Sequence, residues 1–175
     1  MHRLLVACLV AASVSVTTAA EPTFSSTTID LGTVVSDIDA SVRFYTEAIG
    51  FKELAGFDVS ADIAAAAGLT ADKPLSIRVL ALGDGPQATK LKLMEVADTK
   101  PRTGDVEFIH SHTGFRYLTL LVEDMDATLA RLKQAGVKPI AKSPVPLPAE
   151  LVPPGGFFLT VVRDPDGNLV ELIGK

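Results

Sequence analysis

The stretch VSDIDA at residues 35–40 returns as VEDMDA at residues 122–127, an offset of 87 positions. Four of the six positions are identical in the two copies, and both aspartates are among them. An internal repeat indicates the architecture more directly than local patterns do, because it shows how many copies of one folding unit the chain contains. The sequence therefore predicts two copies of a single unit, one in each half of the chain.

Each copy opens a predicted α-helix. The apolar residues of the two helices keep the i, i+4, i+7 spacing of one helix face: Ile38, Val42 and Tyr45, then Met125, Leu129 and Leu132. Asp37 and Asp124 occupy the N-cap position, where a carboxylate accepts a backbone N–H and opposes the helix dipole. Gly50 and Gly136 follow the last helical residues and are expected to end the two helices. The repeat thus extends to the helix boundaries.

Runs of β-branched and large apolar residues predict four strands in each half: residues 29–35, 51–57, 75–82 and 89–96, then 117–122, 138–141, 157–163 and 168–173. Each half is therefore a β-α-β-β-β unit, and the chain is an α+β protein. Residues 60–68 predict a short capped helix inserted into the first unit. Residues 144–156 form a Pro-rich loop, either a lid over a binding site or a stiff surface connection.

Composition restricts the function further. The chain has 175 residues, of which 47% are hydrophobic and 21% charged, a composition that excludes a disordered chain. Its net charge of −5 argues against a nucleic-acid-binding protein, since no basic patch dominates. A single Cys excludes a disulfide framework and a multi-Cys zinc site. We expect one domain at residues 21–175, with a first module at about 28–98, a linker at about 99–115 and a second module at about 116–175.

The N-terminus is typical of a secretory signal peptide. Arg3 precedes an uncharged apolar stretch at residues 4–16, and the small residues Thr18 and Ala20 mark a cleavage site. The apolar stretch is shorter than the roughly 20 residues of a membrane-spanning helix, so no stable span is expected. We therefore expect residues 1–20 to be removed and the mature protein to be periplasmic or extracellular. The mature chain would hold no Cys and only two His.

Four segments of the chain resemble the vicinal oxygen chelate superfamily, which includes glyoxalase I, extradiol dioxygenases and bleomycin-resistance proteins: residues 29–37, 41–51, 118–136 and 164–172. The last segment, with its D-P-D-G turn before an acidic strand, is the most specific. The resemblance implies a glyoxalase-like fold, in which tandem β-α-β-β-β modules form a curved mixed sheet cup. It also implies a divalent metal held by one side chain from each of four strands. Many members pair modules between chains, so the resemblance is compatible with a homodimer.

Carried over position by position, the family's four metal ligands fall on Asp30, Lys92, Tyr117 and Glu171. Only Glu171 is a typical ligand of the family, although Asp30 can also bind a metal. A lysine ammonium has donors only, and a phenol with a pKa of about 10 is a poor ligand for Mg²⁺ or Zn²⁺. The resemblance therefore implies that the geometry of the family's metal site is retained, whereas its charge is changed by a lysine at one of the ligand positions.

Strand alternation tests whether these positions can share the cup. A period of two places Lys90, Lys92 and Met94 on one face of their strand and the leucines between them on the other. The same period separates Tyr117 and Glu171 from their aliphatic neighbours. The candidate residues are therefore expected to face the cup while the aliphatic rows pack against the helices.

The first hypothesis is that Lys92 replaces the metal, pairs with Glu171 and with Asp30 as a second partner, and holds a carboxylate or enolate. Tyr117 would then donate a hydrogen bond, so that Lys92, Tyr117 and Glu171 are the candidate catalytic residues of a small-molecule binder or a metal-independent enzyme. No cofactor is needed. The alternative for these residues is a structural ion pair in an inert cup.

Two other hypotheses stay open. His110 and His112 form an H-x-H pair that can chelate zinc or copper, and the pair could join Asp30 and Glu171 as metal ligands in a lyase or dioxygenase of the glyoxalase type. The same histidines would otherwise belong to a solvated loop. In the third hypothesis the chain is a structural or dimerisation module without a ligand. The sequence does not decide whether the protein is an enzyme.

Overall fold

Two copies of one β-α-β-β-β unit form two curved, four-stranded mixed sheets in the computed structural model of the protein, which describes residues 23–175. The elements of the first unit are β1 (Leu31–Val34), α1 (Ile38–Arg43), β2 (Lys52–Val59), α2 (Ala61–Ala66), β3 (Leu75–Leu82) and β4 (Thr89–Glu95). Those of the second are β5 (Tyr117–Val122), α3 (Met125–Gln134), β6 (Val145–Pro146), β7 (Phe158–Arg163) and β8 (Leu169–Gly174). The predicted α+β class and tandem repeat are confirmed.

The two sheets have the same topology. Their strand orders are β1-β4-β3-β2 and β5-β8-β7-β6. In each sheet the first strand of the unit runs parallel to the last, and the remaining pairs are antiparallel. Consequently β1 and β5 are edge strands, and each lies beside the strand that closes its own unit.

The helix boundaries agree with the repeat. The carboxylates of Asp37 and Asp124 each accept a backbone N–H three residues on, at 2.8 and 2.9 Å. Gly50 and Gly136 follow the helices with positive φ angles of 103° and 73°, which a glycine adopts without strain. The first helix is longer than α1 alone, because a π-helical segment, Phe44–Ile49, continues it. Both predicted caps and both predicted ends are confirmed.

The predicted strand at residues 138–141 is wrong. The second strand of that unit is β6, which has two residues and begins four residues after the predicted segment ends. Pro139 has no N–H to donate to a neighbouring strand, so it interrupts the run. Of this segment, Ile140 alone bonds like a strand residue, its N–H donating to the carbonyl of Val161 at 3.0 Å.

One hydrophobic core joins both sheets to both long helices. Its fully buried side chains come from the helix-facing side of each sheet and from the helices: Tyr45, Leu91, Leu93, Leu132, Val162, Val170 and Leu172. Because both sheets use one face for this core, the opposite face of each sheet points away from it.

Hydrogen bonds reinforce the contact between the two units. The buried Tyr45 hydroxyl donates to the Asp164 carboxylate at 2.9 Å, and burial together with that negative charge raises the pKa of Tyr45. From the other unit, the Arg131 guanidinium donates to the carbonyls of Ala48 and Ile49, each at 3.0 Å, at the end of the first long helix. The seam between the units is therefore closed by one buried and two partly buried hydrogen bonds as well as by apolar packing.

The predicted signal peptide, residues 1–20, lies outside the described residues. Between residues 23 and 175 the structure has no helix long and apolar enough to cross a bilayer.

Candidate functional site

The strand register shows which side chains share a face with the predicted site. Lys92 lies between its direct partners Gly32 of β1 and Val79 of β3, and Glu171 lies beside Thr119 of β5. The residues before and after them along each strand are buried in the shared core: Leu91, Leu93, Val170 and Leu172. Lys92 and Glu171 therefore point away from the core, as the alternation predicted. We call the side of the first sheet that carries Asp30, Gly32, Lys92 and Met94 the first cup face, and the side of the second sheet that carries Tyr117, Thr119 and Glu171 the second cup face.

An ion pair dominates the first cup face. The Lys92 Nζ lies 2.9 Å from Oδ2 of Asp30, and about one third of each side chain is exposed, at 32% and 33%. The hydrogen bond from Lys92 lowers the pKa of Asp30, the charges of Lys92 and Lys90 act in the same direction, and desolvation opposes them. A backbone hydrogen bond from Lys90 also lowers this pKa. Two lysines thus act on a single carboxylate.

Glu171 has a different partner from the one predicted. The Thr119 hydroxyl donates to Oε2 of Glu171 at 2.8 Å. Among residues 23–175, no ion pair within 4.0 Å joins Lys92 to Glu171, so that predicted pair is wrong. The reason is topological: β1 and β4 are neighbours in the first sheet, which brings Asp30 to Lys92, whereas β8 belongs to the second sheet.

The second cup face exposes two large side chains of β5. Tyr117 is 50% exposed, and its hydroxyl bonds to no other residue of the described chain. Leu121, on the same face four residues further along β5, is 80% exposed. The four predicted positions are therefore held as two separate half-sites, Asp30 with Lys92 and Tyr117 near Glu171.

Helix α2 covers part of the first cup face. Ala64 of α2 is fully buried against Leu75, Ile77 and Val79 of β3, and Met94 packs against the same cluster. Ile77 and Val79 are the direct cross-strand partners of Met94 and Lys92, so the helix lies on the side of the sheet that carries the ion pair. The inserted helix predicted from the sequence therefore borders the candidate site.

The two histidines do not form a chelating pair. His112 Nδ1 lies 2.5 Å from the carbonyl of Asp105, and its Nε2 lies 2.7 Å from Nη1 of Arg116. An arginine only donates, so Nε2 accepts and Nδ1 carries the proton toward the carbonyl. His110 instead stacks on Phe108, with 5.6 Å between the ring centroids. Both nitrogens of His112 are therefore engaged by the linker itself.

A cavity that the sequence did not predict lies where the linker crosses the ends of β1 and β4. Its volume is about 520 Å³, and residues 95–104, Val34 and Asp166 contribute to its walls. None of the four predicted positions lines it. The linker is held there because the Arg163 guanidinium donates to the carbonyls of Val106 and Glu107. No local pattern in the linker indicates these long-range bonds.

Within residues 23–175, no three His, Cys, Asp or Glu side chains come together as a group that could hold a metal ion. At two of the positions to which the resemblance assigns metal ligands, Asp30 is paired with a lysine and Glu171 with a hydroxyl.

A family model described as the glyoxalase/bleomycin resistance protein/dioxygenase superfamily matches residues 29–172. Among solved structures, a glyoxalase family protein from Bacillus cereus has a TM-score of 0.68 at 19% identity, covering 90% of this chain and 98% of its own. A glyoxalase I mutant from Zea mays has a TM-score of 0.60 at 22% identity, covering 83% of this chain and 43% of its own. The trypanothione-dependent glyoxalase I of Leishmania major has a TM-score of 0.56 at 22% identity, covering 83% and 84%. The curated proteins contain no match to the chain.

Proposed function

The chain belongs to the glyoxalase/bleomycin resistance protein/dioxygenase superfamily, and we propose that it binds a small organic anion on its first cup face, at Lys92. The observation that carries the proposal is the Lys92–Asp30 ion pair, which stands at the positions of two family metal ligands. Lys90 adds a second positive charge beside the same carboxylate. The face therefore has more positive than negative charge and attracts an anion.

The donor chemistry at these positions supports an anion rather than a divalent cation. A lysine ammonium has three N–H donors and no lone pair, so it repels a metal ion and binds an oxyanion. Asp30 already accepts from Lys92, Glu171 accepts from Thr119, and the exposed phenol of Tyr117 is a poor ligand for a hard cation. This set does not fit the four ligands that Zn²⁺ takes, the six of Mg²⁺ or the six to eight of Ca²⁺.

Lys92 has the geometry to hold a ligand oxygen. One of its three donors is directed at Asp30, and about one third of the side chain is exposed. The remaining donors can bond a carboxylate or an enolate oxygen, and a charge-assisted bond of this kind is about twice as strong as a neutral one. Asp30 fixes the ammonium in place, so the ligand need not order it.

A second copy of the chain is proposed to complete the cup. In one chain the two half-sites belong to different sheets, and no ion pair joins them among the described residues. The first cup face carries excess positive charge and the second carries Glu171, so the first face of one copy is complementary to the second face of another. In such a homodimer Tyr117 and Glu171 of the second copy would lie across the bound anion from Lys92.

The test is a titration of the mature protein with sodium acetate and with sodium phosphate, followed by NMR amide shifts and calorimetry. We expect saturable binding centred on β1 and β4, and at least a tenfold loss of affinity in Lys92→Met, because the charge-assisted bond is removed. Lys142→Met is the matched control, since Lys142 is an exposed lysine outside both cup faces. Unchanged binding in Lys92→Met would refute the proposal.

Metal analysis provides the second arm of this test. The protein is produced without a histidine tag and dialysed against Zn²⁺, Mn²⁺ or Ni²⁺, and bound metal is measured after gel filtration. One tightly bound ion per chain would overturn the anion site and favour a metal-dependent lyase or dioxygenase that uses Asp30 and Glu171.

Export is the remaining part of the proposal. The positive charge, the apolar stretch and the small residues before Glu21 support a signal peptide. The intact mass of protein recovered from a secreting host tests this. We expect a mature chain that begins near Glu21, and a full-length chain retained in the cytoplasm would contradict export.

A further inference from the structure

The first cup face changes from charged to apolar within two residues of β4. Lys92 and Met94 point to the same side, about 7 Å apart along the strand. Val34 is the direct partner of Met94 on the edge strand β1, and it is 47% exposed. A ligand atom bound at Lys92 therefore lies next to an accessible apolar surface.

Gly32 gives the Met94 side chain room to lie over β1. It lies directly opposite Lys92, and a Cβ at this position would come within 3.3 Å of the Met94 methyl group. In the second unit the equivalent position, opposite Glu171, is Thr119, whose hydroxyl bonds that carboxylate. The absence of a side chain at residue 32 thus lets the Met94 methyl group lie flat across the two strands. We call the resulting low surface the Gly32 strip and define it by Gly32, Val34, Lys92 and Met94.

The strip is bounded on one side. The helix α2 buries Ile77 and Val79, so the part of the first cup face beyond Met94 is already covered by Ala64. On the other side lies β1, the edge strand of the sheet. The strip is therefore about two strands wide, and it has a positive end and an apolar end.

Building on the proposed function, we infer that the ligand is an amphiphilic monocarboxylate with a straight apolar chain, its carboxylate on Lys92 and its chain along Val34 and Met94. Lys90 and Lys92 against Asp30 leave one net positive charge, which matches a single carboxylate rather than a dianion. The width of the Gly32 strip selects an unbranched chain over a broad ring system. The apolar end supplies the affinity, because each buried methylene contributes about 0.8 kcal/mol.

The experiment is a calorimetric series with acetate, butyrate, hexanoate and octanoate. We expect the Kd to fall about threefold or more for each added methylene until the strip is filled. In Met94→Gln the gain with chain length should largely disappear while acetate binding stays, and Met94→Leu should retain the gain. Gly32→Val, whose branched side chain displaces the Met94 methyl group, should weaken octanoate binding by a larger factor than acetate binding. Leu151→Gln is the control, since it replaces an exposed apolar residue of the second unit with the same amide.

The outcomes separate this inference from the function on which it rests. If acetate and octanoate bind equally, the inference is wrong and the anion site stands. If neither binds, the anion site itself is wrong. If octylamine binds as tightly as octanoate, or if Met94→Gln keeps the full gain with chain length, the chain does not lie on the strip and the inference is overturned. Thermal unfolding of each variant, followed by circular dichroism, confirms that a loss of binding is not a loss of fold.

Discussion

The two units of the chain share a backbone plan and differ where their strands face the cup. Both have an aspartate cap, a terminal glycine and the same strand order. The equivalent positions of the cup faces differ, however. In the first unit Lys92 lies opposite Gly32 and pairs with Asp30, whereas in the second unit Glu171 lies opposite Thr119 and accepts its hydrogen bond. The features that the units share are those that determine folding. The features in which they differ lie on faces that the shared core does not use, so they are free to serve binding.

The largest effect is expected at the turns that join the last two strands of each unit. In the second unit Asp164 is only 5% exposed and accepts from the Tyr45 hydroxyl, the amide N–H groups of Asp166 and Asn168, and the Asn168 side chain. Asp164→Ala leaves the buried Tyr45 hydroxyl and three partly buried donors unpaired, and it should lower the free energy of unfolding by about 2–4 kcal/mol in urea titrations.

The corresponding turn of the first unit provides the control. Asp84 there pairs with Lys52 at 2.6 Å, but its side chain is 82% exposed. Asp84→Ala should therefore change the free energy of unfolding by no more than about 0.5 kcal/mol. Equal losses of unfolding free energy in Asp164→Ala and Asp84→Ala would show that the buried turn of the second unit contributes no more stability than the exposed turn of the first.

The next effect concerns the charges of the two cup faces. If the first face of one copy meets the second face of another, Lys92→Glu places like charges across the interface and should weaken dimerisation by about ten- to a hundredfold in sedimentation equilibrium. The double variant Lys92→Glu with Glu171→Lys should recover part of this loss, because it restores opposite charges. A dimer that is insensitive to both variants would place the interface elsewhere, and a monomer at all concentrations would contradict the completed cup.

A smaller effect tests the equivalence of the shared features. Asp37 and Asp124 make the same N-cap bond, at 2.8 and 2.9 Å. Asp37→Ala and Asp124→Ala should each cost about 1 kcal/mol of unfolding free energy, and the two losses should be similar. Differential scanning calorimetry of both variants measures this. A loss confined to one of them would mean that only one cap stabilises the protein.

The features that the sequence predicts correctly are those that depend on local periods. The helix caps, the terminal glycines and the alternation around Lys92 and Glu171 follow from spacings of two to four residues, and all are confirmed. The strand at residues 138–141 is wrong because a short apolar run carries little information once a proline interrupts it.

Features that depend on which strands become neighbours could not be predicted. Of the two partners predicted for Lys92, Asp30 bonds it and Glu171 does not, because β1 and β4 pair within one sheet. The spacing of residues within one strand does not indicate which of the two would meet it. His112 is likewise occupied by Arg116 and a carbonyl through the path of the linker. The positions of the candidate site could therefore be named from the sequence, whereas the choice among their possible partners could not.

The smallest effect is the pH dependence of the ion pair that distinguishes the first cup face. The pKa of Asp30 lies below its ordinary value of 3.8 in the folded protein, so the pair contributes stability above that pH and loses it as the pH falls through the folded pKa. Because a third of each side chain is exposed, the contribution is below about 1 kcal/mol. Carbon-detected NMR titration of the Asp30 carboxyl should show this low pKa in the native protein and a higher one in Lys92→Met. Glu53 is the internal control, since its pKa is lowered by Arg78 and must not change in that variant. If Lys92→Met leaves the pKa of Asp30 unchanged, the ion pair does not form in solution, and the two cup faces do not differ in the way proposed.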